Sequence, residues 1–347
     1  MNHNSYFHRV HAQTPTRLWI NNVTKEEARL AIDAGAVGCT QNPTYVWKMM
    51  QSEPERVYPV LDRILDEQPD DTQALILLQK QLVEEIAELF MPIWEKSRGR
   101  MGHVTIQGDP FHETVDNIVF QARLNCKKYP NLSPKIPVTE SGLQAISQLA
   151  AEGMTLTMTE VMSVQQAMDA CDAFESATAE LMRPPAAYLA HIPGIFDEYL
   201  QKEVKEKHID IEPDILWQAG VAVAKKVHEL MRQRRTEIAF LSGGARGLHH
   251  FTEIVGASGY ITINWKGTAD QLIHQNPPVV QRFLQPTPPS VLDRLVHQLE
   301  TFRKAYWQDG LKPSEYEQFG PVVLFRNSFE TAWDQALQAI AERRRSR

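Results

Sequence analysis

The 347-residue chain is predicted to fold as an α/β (β/α)8 barrel of parallel strands, and three observations lead there. Short apolar or β-branched runs alternate with amphipathic helical stretches along most of the length. Eight such runs fit into about 260 residues, the count and span of a closed barrel with strands buried on both faces. No run is followed by a clear GxGxxG turn and helix, which argues against an open doubly wound nucleotide-binding sheet.

The predicted strands are Arg17–Asn22, Gly38–Thr40, His103–Gln107, Pro134–Pro137, Thr155–Thr159, Ala187–His191, Ile238–Ser242 and Tyr260–Ile263. Thr24-Lys25-Glu26-Glu27 opens the first helix with a threonine cap and acids in its first turn, and Gly35 closes it. A helical region from Glu55 to Lys96 is interrupted near Gln68-Pro69-Asp70-Asp71 and reads as packing or a homo-oligomer interface. Further helices are expected at Pro110–Lys128, Glu140–Glu152, Ser163–Phe174, Phe196–His208, Pro213–Arg234 and Leu248–Val255. Residues 1–16 read as an N-terminal extension and 17–347 as one barrel domain. That domain includes a C-terminal helical extension from about residue 266, with helices at Ser290–Trp307 and Ser328–Arg343.

Composition narrows the partners. A hydrophobic content of 43% supports a large core, and a net charge of −7 without long like-charged runs argues against nucleic acid or an anionic membrane. Cys39, Cys126 and Cys171 are scattered, so free thiols in a reducing compartment are expected. No apolar run approaches the roughly 20 residues of a membrane span, and residues 1–16 lack a signal-peptide core, so a cytoplasmic protein is expected.

In a barrel, chemistry gathers where strands run into the loops that follow them. The polar residues at those ends are Asn21, Thr40-Gln41-Asn42, Gln107, Asp109, Lys135, Thr157, Thr159, His191 and Ser242-Gly243-Gly244. Lys135, inside Lys135-Ile136-Pro137-Val138-Thr139, stands out because burial pushes a lysine towards the neutral amine that attacks carbonyls. His191 and Asp109 are candidate acid–base groups, while Glu160, next to Thr159, faces the helices by strand alternation. The Ser242-Gly243-Gly244-Ala245-Arg246 turn suits an anion. His249-His250 lack a third ligand at sensible spacing, and neither a metal nor an organic cofactor is expected.

Across roughly residues 17–265 the chain resembles the transaldolases, Schiff-base aldol enzymes on a (β/α)8 barrel. The resemblance lies in Gly38-Cys39-Thr40-Gln41-Asn42-Pro43-Thr44, in Lys135-Ile136-Pro137-Val138-Thr139 with Gly142-Leu143 and Ala145-Ile146, and in Gly153–Thr159 with Ser163 and Gln166-Ala167. It implies Lys135 as the Schiff-base lysine, Asn42 as a ligand of substrate hydroxyls and Thr159 as the positioner of a catalytic water. The family's strand-one aspartate corresponds to Asn21, its strand-three glutamate to Gln107 and its strand-five asparagine to Thr157. Gln107 also resembles the fructose-6-phosphate aldolase subgroup, in which glutamine holds the water. Of two phosphate-binding arginines one is retained as Arg246, beside Gly243 and Gly244, and the other corresponds to Ile195. The resemblance thus implies aldol chemistry on a ketose or related carbohydrate, departing from the standard transaldolase reaction. A Schiff-base lyase, dehydratase or isomerase on a modified sugar, or a non-catalytic sugar-binding barrel, stand as alternatives.

Overall fold

A computed structural model describes residues 5–347, and in it the eight apolar runs pair side by side, all parallel, into a closed barrel. The strands are β1 (Thr16–Asn21), β2 (Cys39–Thr40), β3 (Val104–Gln107), β4 (Leu132–Pro137), β5 (Leu156–Val161), β6 (Ala187–His191), β7 (Ala239–Ser242) and β8 (Gly259–Asn264). β1 closes the ring on β8, in register from Thr16 opposite Gly259 to Asn21 opposite Asn264. The prediction differs most at two strands. β4 starts at Leu132, before the expected Pro134, and β5 runs past Thr159 to Val161, because a bulge carries the strand through Glu160.

The helices follow their caps. Thr24 and Glu27 form a reciprocal capping box, with Thr24 Oγ1 accepting from the Glu27 N–H at 3.1 Å and Glu27 accepting from the Thr24 N–H at 2.9 Å. Thr139, four residues after Lys135, accepts from the Gly142 N–H at 3.1 Å and starts the helix Glu140–Ala151. The region from Glu55 to Lys96 is two helices, Pro54–Glu67 and Asp71–Ser97, the second capped by Asp70. The single helix expected over Ser290–Trp307 breaks at Leu299 into Pro289–Gln298 and Glu300–Tyr306. Of Leu248–Val255 only His249–Thr252 is α-helical. The last helix is longer than expected, Gly320–Arg345, and buries Val322, Phe325, Phe329, Trp333, Ala336 and Ile340 along one stripe. Among the described residues no helix is long and apolar enough to cross a membrane.

Ahead of β1, the helix Tyr6–Gln13 buries Tyr6, Phe7 and Val10, with Tyr6 and Phe7 edge-on to Phe251. Inside the barrel, the N-terminal end of the lumen is filled by aromatic rings. Trp19, Tyr188 and Tyr260 lie with ring centroids 4.8–5.5 Å apart, and Tyr188 Oη is 2.6 Å from His103 Nδ1. Gly38, at the start of β2, packs flat against Trp19, and a Cβ there would overlap the indole. Gly38→Ala should therefore destabilise the fold by about 1–3 kcal/mol, read as a lowered urea midpoint with an unchanged slope.

Candidate active site

Strand alternation turns Ser133 and Lys135 of β4 into the lumen, alongside Thr157 of β5 and Gln107 of β3. Ser133 and Thr157 hydroxyls meet at 2.9 Å. Lys135 is 7% exposed, and its Nζ donates to Gln107 Oε1 at 3.1 Å. The Phe325 and Phe329 rings of the C-terminal helix stand over Nζ, with centroids 5.8 and 5.6 Å away. Burial pushes the lysine down to about 8, against the opposing pull of the Glu160 and Glu113 charges. Desolvation wins over both carboxylates.

Glu160 is not where alternation puts it. Met158 pairs with Leu189 and Val161 with His191, so two residues of β5 oppose one of β6. The extra residue is accommodated by a left-handed Glu160 (φ 59°), a conformation that costs a non-glycine residue about 1 kcal/mol or more. The expectation that Glu160 faces the helices is thereby corrected. Its side chain enters the mouth, where Oε1 accepts from Gln107 Nε2 at 2.8 Å. Gln107 is thus held at both ends, oxygen towards the lysine and nitrogen towards the carboxylate, and a flipped amide would set like against like. Burial raises the Glu160 carboxyl, with Lys135 and the Gln107 bond opposing. Burial, then the nearby Glu160 charge, raises Glu113 well above the usual carboxylate range. Glu160 Oε2 and Thr159 Oγ1 are buried without a partner.

A cavity of about 540 Å³ opens beside Lys135, bounded by Asn21, Asn42, Gly243, Gly244 and Arg246 and roofed by Phe325, Ser328 and Phe329. Both ends of the Asn21 amide are engaged. Its Nδ2 donates to Asn264 at 2.9 Å, and its Oδ1 accepts from Thr40 Oγ1 at 2.8 Å, which in turn meets Thr262 Oγ1 at 2.7 Å. Asn42 Oδ1 collects Asn22 Nδ2 and both the N–H and hydroxyl of Thr44, leaving Nδ2 without a protein acceptor among the described residues. Gln107, Thr157 and Thr159 lie beside the lysine but outside the cavity wall.

Two candidate acid–base residues lie elsewhere. His191 alternates outwards, its Nδ1 2.9 Å from Val161 O and its Nε2 3.3 Å from Gly220 O, and burial pushes it down to about 4. Asp109 caps its own loop, accepting from the Phe111 N–H at 2.9 Å and pairing with His112 Nδ1 at 2.8 Å. The glycine turn is also narrower as an anion cradle than its sequence suggested. Gly243 N–H is spent on His191 O at 2.9 Å, and Gly244 takes φ 65° where a Cβ would overlap Ile192, so turn geometry alone demands the second glycine. Arg246 stands on the exposed rim, its Nε 2.6 Å from Glu198. His249 and His250 do have a third potential ligand, Asp197, within 4.8 Å, contrary to the sequence reading. His250 Nδ1, however, accepts the Arg246 N–H at 3.2 Å, which puts the proton on Nε2, 3.0 Å from Asp197 Oδ2. A metal at that Nε2 would displace the proton and force one onto Nδ1 against the Arg246 N–H.

Sequence reasoning missed Glu160, Glu113, Phe325 and Phe329 as neighbours of the lysine. An acid inside the apolar run Leu156–Val161 was the available signal for the first. The two phenylalanines come from a helix distant in sequence and carried none.

A family model described as Transaldolase/Fructose-6-phosphate aldolase matches residues 18–312. A curated relative named transaldolase from Acidothermus cellulolyticus is 29% identical over 219 residues, covering 60% of this chain and 59% of that protein. One of the same name from Mycobacterium tuberculosis is 27% identical over 232 residues, 62% of each chain, and one from Thiobacillus denitrificans is 24% identical over 249 residues, 66% and 68%. The alignments thus span about three-fifths of the first two of these relatives.

The lysine sets a pH test. Only the neutral amine is nucleophilic, so Lys135 labelling by a carbonyl probe should climb about tenfold per unit below pH 8 and level off above it. The check is the pH profile of reductive labelling by dihydroxyacetone and cyanoborohydride, followed by peptide mapping. A profile still rising at pH 10 would show an ordinary lysine.

Proposed function

This chain belongs to the transaldolase/fructose-6-phosphate aldolase family, and on that premise we propose that it makes or breaks an aldol carbon–carbon bond in a ketose or related sugar carbonyl through a Schiff base on Lys135. The observation that carries this reading is the buried Nζ, shifted towards the neutral amine and opening onto the cavity. The amine adds to the ketose carbonyl, and loss of water from the carbinolamine leaves an iminium cation. When the hydroxyl proton on the far side of the scissile bond goes to a base, that bond breaks. Its electron pair flows into the iminium to give an enamine, and an aldehyde departs. The enamine then either attacks a second aldehyde or takes a proton and is released by water.

Each neighbour has a role consistent with its geometry. Gln107 accepts from Nζ and orients it, while the unpartnered Thr159 hydroxyl holds the water that enters and leaves the carbinolamine. Asn42, with its oxygen saturated, presents Nδ2 to a substrate hydroxyl, and Asn21 marks the wall by the leaving fragment. Arg246 receives an anionic end at the rim, exchanging Glu198 for the ligand. The relatives' name, transaldolase, favours transfer to an acceptor. Amides at positions 21 and 107 cannot take the hydroxyl proton, a step that cleavage and transfer share, so they set this chain apart from the standard reaction without choosing between the two.

Borohydride with dihydroxyacetone or fructose 6-phosphate should attach one adduct, at Lys135, and Lys135→Met should eliminate it. A protein that binds ketoses without a trappable adduct would instead be a sugar-binding barrel. Transfer from fructose 6-phosphate to erythrose 4-phosphate should be slow, and Asn21→Asp with Gln107→Glu should accelerate it. Arg246→Ala should raise KM for a phosphorylated ketose by about one to two orders of magnitude with little change in kcat. An unchanged KM would point to an uncharged substrate.

A further inference from the structure

The carboxylate nearest the lysine's hydrogen-bond network arrives by an unusual route. Glu160 occupies a backbone conformation that favours glycine and is 1% exposed, and among the described residues its side chain hydrogen-bonds to Gln107 alone, the second oxygen being unpartnered. A charged side chain held there against both backbone preference and desolvation is badly explained by packing, since an apolar residue or glycine would serve the strand better. What it does touch is the far end of the amide that touches Lys135.

We propose that Glu160 is the positioning residue of this site: through Gln107 it aims the amide oxygen at Lys135, and its negative charge balances the positive nitrogen there. The idea takes its chemical meaning from the Schiff-base reading but makes a separate physical claim. The iminium formed by dehydration stays cationic until bond cleavage turns it into a neutral enamine, and it carries that charge under two phenylalanine rings. With Asn21 and Gln107 uncharged, a nearby anion is what such a cation lacks, and Glu160 supplies it one residue removed.

Other charges face the same spot. Glu160 lies near enough to Glu113, from the loop after β3, to raise that carboxyl's affinity for a proton. From the C-terminal segment, Arg326 opposes that effect while Glu330 adds to it, and Glu317 acts on Glu113. Arg326 is itself tied to Glu317 at 3.0 Å. Two buried acids and one buried lysine favour one ionised carboxylate against one cationic nitrogen, the other acid keeping its proton.

The test reads Lys135 ionisation directly, by 15N-lysine NMR titration of the full-length protein with Lys135→Met as the assignment control. Glu160→Gln keeps the shape and removes the charge, and Glu160→Gly removes the side chain where φ 59° suits glycine, so folding is retained. Both should lower the Lys135 midpoint by about one pH unit relative to wild type. An unchanged or raised midpoint in the folded Glu160→Gly protein would overturn the proposal. In parallel, 2,4-pentanedione reports whether the amine forms a carbonyl adduct. A shifted midpoint with no adduct in wild type would uphold Glu160's hold on the lysine and sink the Schiff-base reading. An adduct with no midpoint shift would do the reverse.

Discussion

Removing one lysine amine from water at the end of β4 is the constraint around which the barrel mouth is organised. A buried ammonium costs several kcal/mol unless something compensates it, so the surroundings decide which protonation state survives. Here they pull in both directions. Two phenylalanines from a helix beyond the barrel cover the amine, while Gln107 and the charges of Glu160 and Glu113 keep the cation accessible. The balance brings the amine down to about 8, where the neutral amine and its conjugate acid are both at hand.

That balance depends on hydrogen bonds that are fixed before any ligand arrives. Asn21, Thr40, Thr262 and Asn264 form one chain across β1, β2 and β8, and Asn22, Asn42 and Thr44 form another at the next loop. With acceptors and donors paired among themselves, the groups left over point in defined directions, Asn42 Nδ2 among them. Such a preset polar wall replaces hydration without reorganising. Beneath that wall the rings of Trp19, Tyr188 and Tyr260 pack against one another within the barrel.

Much of this was legible in the sequence because strands and caps are local. The eight runs and the Thr24 capping box follow from period two and from side-chain oxygens near helix starts. So did the presence of Lys135, Asn21, Asn42, Gly243, Gly244 and Arg246 at one mouth. What escaped is non-local or irregular. A bulge breaks the very alternation by which Glu160 was read as outward. Phe325 and Phe329 reach the lysine only because their helix folds back across the barrel. His191 did follow alternation, and for that reason it is absent from the cavity. Sequence identity named it a candidate, and strand geometry removes it.

The anionic end of the site obeys a related logic of prior commitment. Asp197 accepts the Gly220 N–H at 2.6 Å and holds His250, which in turn holds the backbone of Arg246, so the β7 loop is pinned from beneath by buried groups. Above it the guanidinium is already paired with Glu198, and the Gly243 N–H with His191 O. On the proposed reading, a ligand anion meets a rigid loop whose guanidinium must exchange one carboxylate for another negative group. The exposed Arg246–Glu198 pair is weak in water, so the exchange costs little; a doubly charged group gains more from it than a singly charged one. On that reading, recognition at this rim follows the ligand's charge, while the buried lysine below responds to the shape and carbonyl of the remainder.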